Sequence, residues 1–184
     1  MAILAPSPDQ CLLVLVDVQE RLAPAMSADG AWLDQLQRLL HGSAELGVGL
    51  VVTEQYPRGL GATLPALDAC LPEGVPRYEK TTFSCFGCPA FASLVSSRSP
   101  ATLVVVGIET HVCVQQTVLD ALERGLSVIV AADAVASRQD RDRDTALALL
   151  RGRGVSVTTV EALLFDWLQD ARHPSFKAIA ALIR

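Results

Sequence analysis

The stretch Leu103-Val-Val-Val-Gly107-Ile-Glu-Thr-His-Val-Cys113-Val-Gln-Gln-Thr-Val-Leu-Asp-Ala-Leu-Glu-Arg-Gly125 decides how this chain is read. An apolar run stops at Gly107 and resumes at Cys113 with helical spacing, the pattern of a strand, a tight turn and a helix. Val114, Val118, Ala121 and Leu122 fall on one helix face, and Gly125 stands where a C-terminal cap belongs. Cys113 is therefore expected to open the helix. There, unpaired backbone N–H groups and the positive end of the helix dipole favour a thiolate and lower the thiol pKa. A cysteine can equally be a small buried apolar residue. Its place at a helix start favours the nucleophile.

Upstream, Cys11-Leu-Leu-Val-Leu-Val-Asp17 is a continuous apolar run ending in a carboxylate, as in a central parallel strand buried on both faces. Leu33, Leu36, Leu40 and Ala44 repeat at helical spacing between a cap near Ser27 or Asp29 and Gly47. Gly49–Thr53 reads as the second strand. Glu54–Thr63, rich in turn formers, reads as a loop leaving that strand's C-terminal end. Val75–Lys80 is a short third strand whose Pro76 suits an edge. A helix over Pro89–Ser97 precedes the strand Thr102–Gly107, and Leu126–Ala132 is the fifth strand, with Asp133 just beyond it. Arg138–Asp144 is a mixed-sign run that reads as a solvated helix start. Gly154–Thr159 gives strand six, and Val160–Asp170 with Ser175–Ile183 gives two closing helices.

Strands alternating with helices specify an α/β three-layer sandwich, a six-stranded mostly parallel sheet with helices on both faces and right-handed crossovers. Such sheets bind ligands beyond the C-terminal strand ends, where the strand order reverses. Asp17, Lys80 and Cys113 all fall on that rim. Singly they read as a turn cap, a surface lysine and a core cysteine. Together they supply a thiol nucleophile, a carboxylate able to take its proton, and a cation to hold the charges. His111 is a second candidate partner for the thiol, but residues two apart point away from each other in regular structure.

Composition narrows the function. At 184 residues and 51% hydrophobic content the chain suits one domain over 1–184. A net charge of −5 without a basic run gives no footprint for nucleic acid or anionic membrane. No apolar run reaches the roughly 18 residues that span a bilayer, and no leader pattern opens the chain, so a cytoplasmic protein acting on a small molecule is expected. Five cysteines without a framework suit a reducing compartment. Cys85-Phe-Gly-Cys88 has redox or metal spacing but no second pair and no nearby histidine. Gly59-Leu-Gly61 lacks the rest of any phosphate-binding fingerprint, so no cofactor is implied.

Four segments carry a resemblance: Leu13-Val-Leu-Val-Asp17-Val-Gln19, Lys80-Thr-Thr-Phe-Ser84, Val106-Gly-Ile-Glu-Thr-His-Val-Cys113-Val and Asp133-Ala-Val-Ala-Ser-Arg138. Through them the chain resembles the isochorismatase-like cysteine hydrolases, a Rossmann-like family that includes nicotinamidases and other amidases. The resemblance implies an Asp–Lys–Cys triad at Asp17, Lys80 and Cys113. It also implies a cis peptide at Ile108–Glu109 and an oxyanion hole from the Glu109 and Cys113 N–H groups. Isochorismatase proper lacks the cysteine, so Cys113 implies attack on a C–N bond of a small amide or carbamoyl compound rather than on isochorismate. Nicotinamidases carry an Asp/His metal cluster after the second strand. Here that loop, Glu54-Gln-Tyr-Pro-Arg-Gly-Leu-Gly61, has no histidine, and no metal is expected, which resembles the branch with unassigned substrates.

The resemblance and the apolar composition imply a homo-oligomer, a dimer or larger. Specificity is expected in the loops Glu54–Thr63 and Thr81–Phe86, where Tyr56, Phe83 and Phe86 offer flat walls and Arg58 a carboxylate-binding fork. Other readings of the same residues are a noncatalytic ligand-binding or oligomeric scaffold, or a thiol redox protein using Cys113.

Overall fold

The computed structural model describes residues 5–26 and 30–184. Ser27 and Asp29, the expected caps of the first helix, lie outside the described residues. Six strands form the sheet: β1 Cys11–Val16, β2 Gly49–Gln55, β3 Arg77–Lys80, β4 Thr102–Ile108, β5 Ser127–Ala136 and β6 Ser156–Thr158. Their order is β3-β2-β1-β4-β5-β6, and every pairing is parallel. The helices are α1 Ala31–Leu46, α2 Pro57–Leu60, α3 Pro65–Asp68, α4 Pro89–Arg98, α5 Gln115–Glu123, α6 Asp140–Gly152, α7 Val160–Leu168 and α8 Phe176–Ile183. Among the described residues no helix is long and apolar enough to cross a membrane.

The apolar runs are continuous because the sheet is covered on both faces, and successive side chains point opposite ways. Leu13, Leu15, Val104, Val106 and Ile129 meet Leu36, Leu40, Leu163, Trp167 and Ile179 of α1, α7 and α8. Their neighbours Leu12, Val14, Leu103, Val105 and Val128 meet Phe91, Val118, Ala121, Leu147 and Leu150 of α4, α5 and α6. Two cores thus sandwich one sheet. The chain runs outward from β1 to β3, then returns to lay β4 on the other side of β1. The strand order reverses there, opening a crevice between the C-terminal ends of β1 and β4.

Gly107 sets how closely β4 approaches β1 at this end of the sheet. Its φ is 111°, and a Cβ there would lie 2.2 Å from the Val16 carbonyl oxygen, so only glycine lets the end of β4 pass so close to β1. The weak third strand is an edge strand, as Pro76 suggests. The fifth strand differs from its expected end at Ala132 and continues to Ala136. Its pairing with β4 shifts register between Val105 and Gly107, and the extra β5 residues include Asp133. A carboxylate inside an apolar run reads as a strand end. Here the Asp133 carboxylate instead accepts the Val160 N–H at the start of α7 at 2.9 Å, and pairing resumes at Val135.

The expectation that Cys113 opens the helix is also corrected. The turn after β4 is a π-helical turn over Thr110–Val114, ahead of α5. The Val112 and Val114 N–H groups both donate to Glu109 O, at 3.0 and 3.2 Å, the latter reaching back five residues. Cys113 therefore lies inside the turn. The loop after β2 is shorter than Glu54–Thr63, because Glu54 and Gln55 still pair with β3 and Pro57–Leu60 is α2.

Candidate active site

Asp17 leaves β1 with φ 54°, a left-handed conformation rare outside glycine. Its N–H donates to Thr53 O at 3.1 Å, which extends the β1–β2 ladder by one residue and turns the side chain into the crevice. The carboxylate is fully buried. Oδ2 accepts from Lys80 Nζ at 2.6 Å, Oδ1 accepts from Thr53 Oγ1 at 2.9 Å, and the Cys113 thiol faces the same carboxylate. Lys80 reaches it from the end of β3. Its ammonium also has Gln55 Oε1 at 2.8 Å, Phe83 O at 3.0 Å and Thr82 O at 3.2 Å as acceptors. A buried charge pair is tolerated only when such additional hydrogen bonds complete it.

Burial raises the Asp17 carboxyl above the ordinary carboxylate range, opposed by the Lys80 charge and by the hydrogen bonds from Lys80, Cys113 and Thr53. A raised carboxyl is a stronger proton acceptor. Burial also raises the Cys113 thiol, with the Asp17 charge adding to it and Lys80 opposing. The expected lowering of that pKa at a helix start is thus overturned. The thiol lies within the π turn, enclosed and facing a carboxylate, so any effect of the helix end is outweighed. At rest the group is a thiol facing a carboxylate.

The other sequence candidates are distributed unevenly. The Glu109 carboxylate is buried and bonds away from Cys113, accepting the Arg138 backbone N–H and Nε–H, both at 3.1 Å. The peptide joining it to Ile108 is cis. His111 Nδ1 lies 2.9 Å from Ser137 Oγ, and no bond joins it to Cys113 among the described contacts. Tyr56 and Arg58 line one cavity of about 430 Å³ together with Thr81, Thr82 and Cys88. Phe83 is exposed and does not line it. Phe86 departs from its expected place beside Tyr56 and Arg58 and lines a separate cavity with Val95 and Arg124. It is buried edge-on against Phe91 at 5.2 Å with the Arg124 guanidinium 4.5 Å from its ring centre, because the 3-10 turn Cys85–Gly87 folds it under α4. Cys85 is fully buried beside Thr53.

Sequence reading missed Gln19, Thr53 and Gln55. Gln19 is fully buried. Its Nε2 donates to Gln55 O at 3.0 Å and Gly61 O at 2.6 Å, and its Oε1 accepts the Gln55 N–H at 2.7 Å. It pins the loop after β2 and so holds Gln55 against Lys80. Thr53 and Gln55 end a strand on the same rim as Asp17, and that placement was the available signal.

Comparison with known proteins identifies the family and the fold. Residues 11–162 match the Isochorismatase domain family. Isochorismatase domain-containing protein 2 of Danio rerio is 40% identical over 172 residues, covering 94% of this chain and 86% of that protein. A solved structure described as the MAR1 ribonuclease from Caenorhabditis elegans is 37% identical, covers 97% of this chain and 91% of that one, and superposes with a TM-score of 0.91. The YcaC gene product of Escherichia coli, described as an octameric hydrolase of unknown specificity, covers 97% of this chain and 88% of its own with a TM-score of 0.90. At 21% identity it shows likeness of fold alone.

Proposed function

The chain belongs to the isochorismatase domain family, and from that premise we propose that it is a metal-independent cysteine hydrolase cleaving a C–N bond of a small amide or carbamoyl compound. The observation that carries this reading is one buried carboxylate, Asp17, paired with an ammonium and facing a thiol. Cys113 Sγ attacks the carbonyl carbon as Asp17 takes its proton. The backbone N–H groups of Glu109 and Cys113 receive the negative oxygen of the tetrahedral intermediate. Asp17 returns the proton to the departing nitrogen, leaving a thioester on Cys113. Water attacks the thioester, with Asp17 again accepting a proton, and the acid and the free thiol are released. Lys80 holds Asp17 in place and offsets its charge throughout. Tyr56 and Arg58 act in substrate selection, and one domain carries the whole reaction.

Two measurements test the mechanism. Incubation with a panel of small primary amides, carbamoyl compounds and esters, followed by mass spectrometry, is expected to reveal an acyl adduct on Cys113. Turnover of any amide by folded Cys113→Ser at the wild-type rate sinks the mechanism. The relative named a ribonuclease gives a second reading. The net charge of −5 weighs against it, since phosphate backbones are held chiefly by Lys and Arg. Cleavage of single-stranded RNA that survives Cys113→Ser would favour that reading. The octameric description of the Escherichia coli neighbour and the apolar composition support a homo-oligomer here. A clean 19.6 kDa species in sedimentation at micromolar concentration would contradict it.

A further inference from the structure

Asp17 is held twice by one residue. Thr53 accepts the Asp17 N–H through its carbonyl at 3.1 Å and donates its hydroxyl to Asp17 Oδ1 at 2.9 Å. The hydroxyl has a single proton, and an ionised carboxylate can only accept, so that proton points at Asp17. Cys85 Sγ, 3.5 Å from the same oxygen, must then be the donor. Cys85 suits that role. It is fully buried, its N–H is held by Thr117 Oγ1 at 3.0 Å, and burial keeps its thiol protonated, with a pKa raised to about 11. A chain of donors thus runs from Cys85 S–H to Thr53 O–H to Asp17, opposite the Lys80 ammonium on the other carboxylate oxygen.

We propose that Thr53, its hydroxyl backed by the Cys85 thiol, is a positioning residue that sets the proton affinity of Asp17. The proposal rests on the reading of Asp17 as the base for Cys113. A hydrogen bond to the charged form of a carboxylate favours that form. Thr53 therefore keeps burial from raising Asp17 so far that it is already protonated when the Cys113 proton must be accepted. Cys85, although buried beside the crevice, is not a second nucleophile. Its proton goes to the oxygen of a hydroxyl and strengthens that hydroxyl as a donor to Asp17. The titratable groups facing Asp17 are Lys80, Cys113 and Cys85, while Glu109 and His111 bond Arg138 and Ser137 instead.

The test is the rate of iodoacetamide alkylation at Cys113, resolved by mass spectrometry across pH, which needs no natural substrate. Thr53→Val keeps the shape and removes the donor. It is expected to move the acid midpoint of the profile up by about one pH unit, a typical effect of one hydrogen bond to a charged group. Thr53→Ser is expected to restore it. Cys85→Ala leaves the hydroxyl on Asp17 but removes the donor behind it, and is expected to shift the midpoint the same way by less. Should Thr53→Val fail to fold, Cys85→Ala decides, and an unmoved midpoint overturns the proposal. Asp17→Asn separates the two levels of the argument. If it removes the acid limb while Thr53→Val leaves the limb in place, the role of Thr53 alone is wrong. If Asp17→Asn changes nothing, Asp17 is not the base and both readings fall.

Discussion

The crevice between β1 and β4 and the outer rim beside β3 lie at the same end of one sheet, yet they are built in opposite ways. In the crevice Asp17, Lys80 and Cys113 are buried and bonded to one another or to Thr53, Gln55 and the carbonyls of Thr82 and Phe83. On the outer rim Tyr56 is 55% exposed and Phe83 is 52% exposed. Arg58 and Cys88 face an open cavity there. Crowding and saturation of hydrogen bonds leave the crevice no freedom to accept substitution. The outer rim has that freedom, which is where an α/β enzyme changes substrates without disturbing its chemistry.

The sharpest way to break the comparison is to change the crevice. Cys113→Ala and Asp17→Asn are each expected to lower turnover of a substrate amide by about 10³-fold or more, as loss of a nucleophile or its base does. Ammonia release measures it, and retention of a tenth of the activity by either variant would remove the crevice from catalysis. Lys80→Met comes next. It leaves Asp17 without its buried counter-ion, and urea unfolding is expected to show a loss of about 3–5 kcal/mol. A loss below about 1 kcal/mol would mean that the pair does not constrain the crevice.

Smaller effects sharpen the contrast from the outer side. At pH 7 without substrate, iodoacetamide is expected to label the cavity-lining Cys88 at least about tenfold faster than Cys85, whose thiol is buried and raised. Comparable rates would mean that the core opens as readily as the rim. Tyr56→Ala and Arg58→Ala are expected to raise KM by up to about tenfold while stability stays within about 0.5 kcal/mol. Arg58→Ala should act mainly on substrates that carry a carboxylate. Unchanged kinetics across acidic and neutral amides would take the cavity out of substrate selection.

Much of this protein was legible before any coordinates. Continuous apolar runs at Cys11–Val16 and Thr102–Ile108 dictate doubly covered strands, since no sheet exposed on one face could hide them. Asp17, where the first run stops, and Lys80, at the end of the short third strand, fall on one rim because parallel strands end on the same side. Tertiary structure alone decided what those residues experience. A helix start read from spacing favours a thiolate at Cys113, but the π turn and the closing of α5 on the sheet bury the thiol against a carboxylate, and burial raises its pKa. Phe86 sits in a loop sequence yet folds under α4, and Asp133 interrupts an apolar run yet stays within a strand because α7 offers it an N–H. Thr53, Gln55 and Gln19 escaped notice because a hydroxyl or an amide has no chemistry of its own to announce. Their roles come from the partners that packing brings within 3 Å, and those partners are 25 to 42 residues away in the chain.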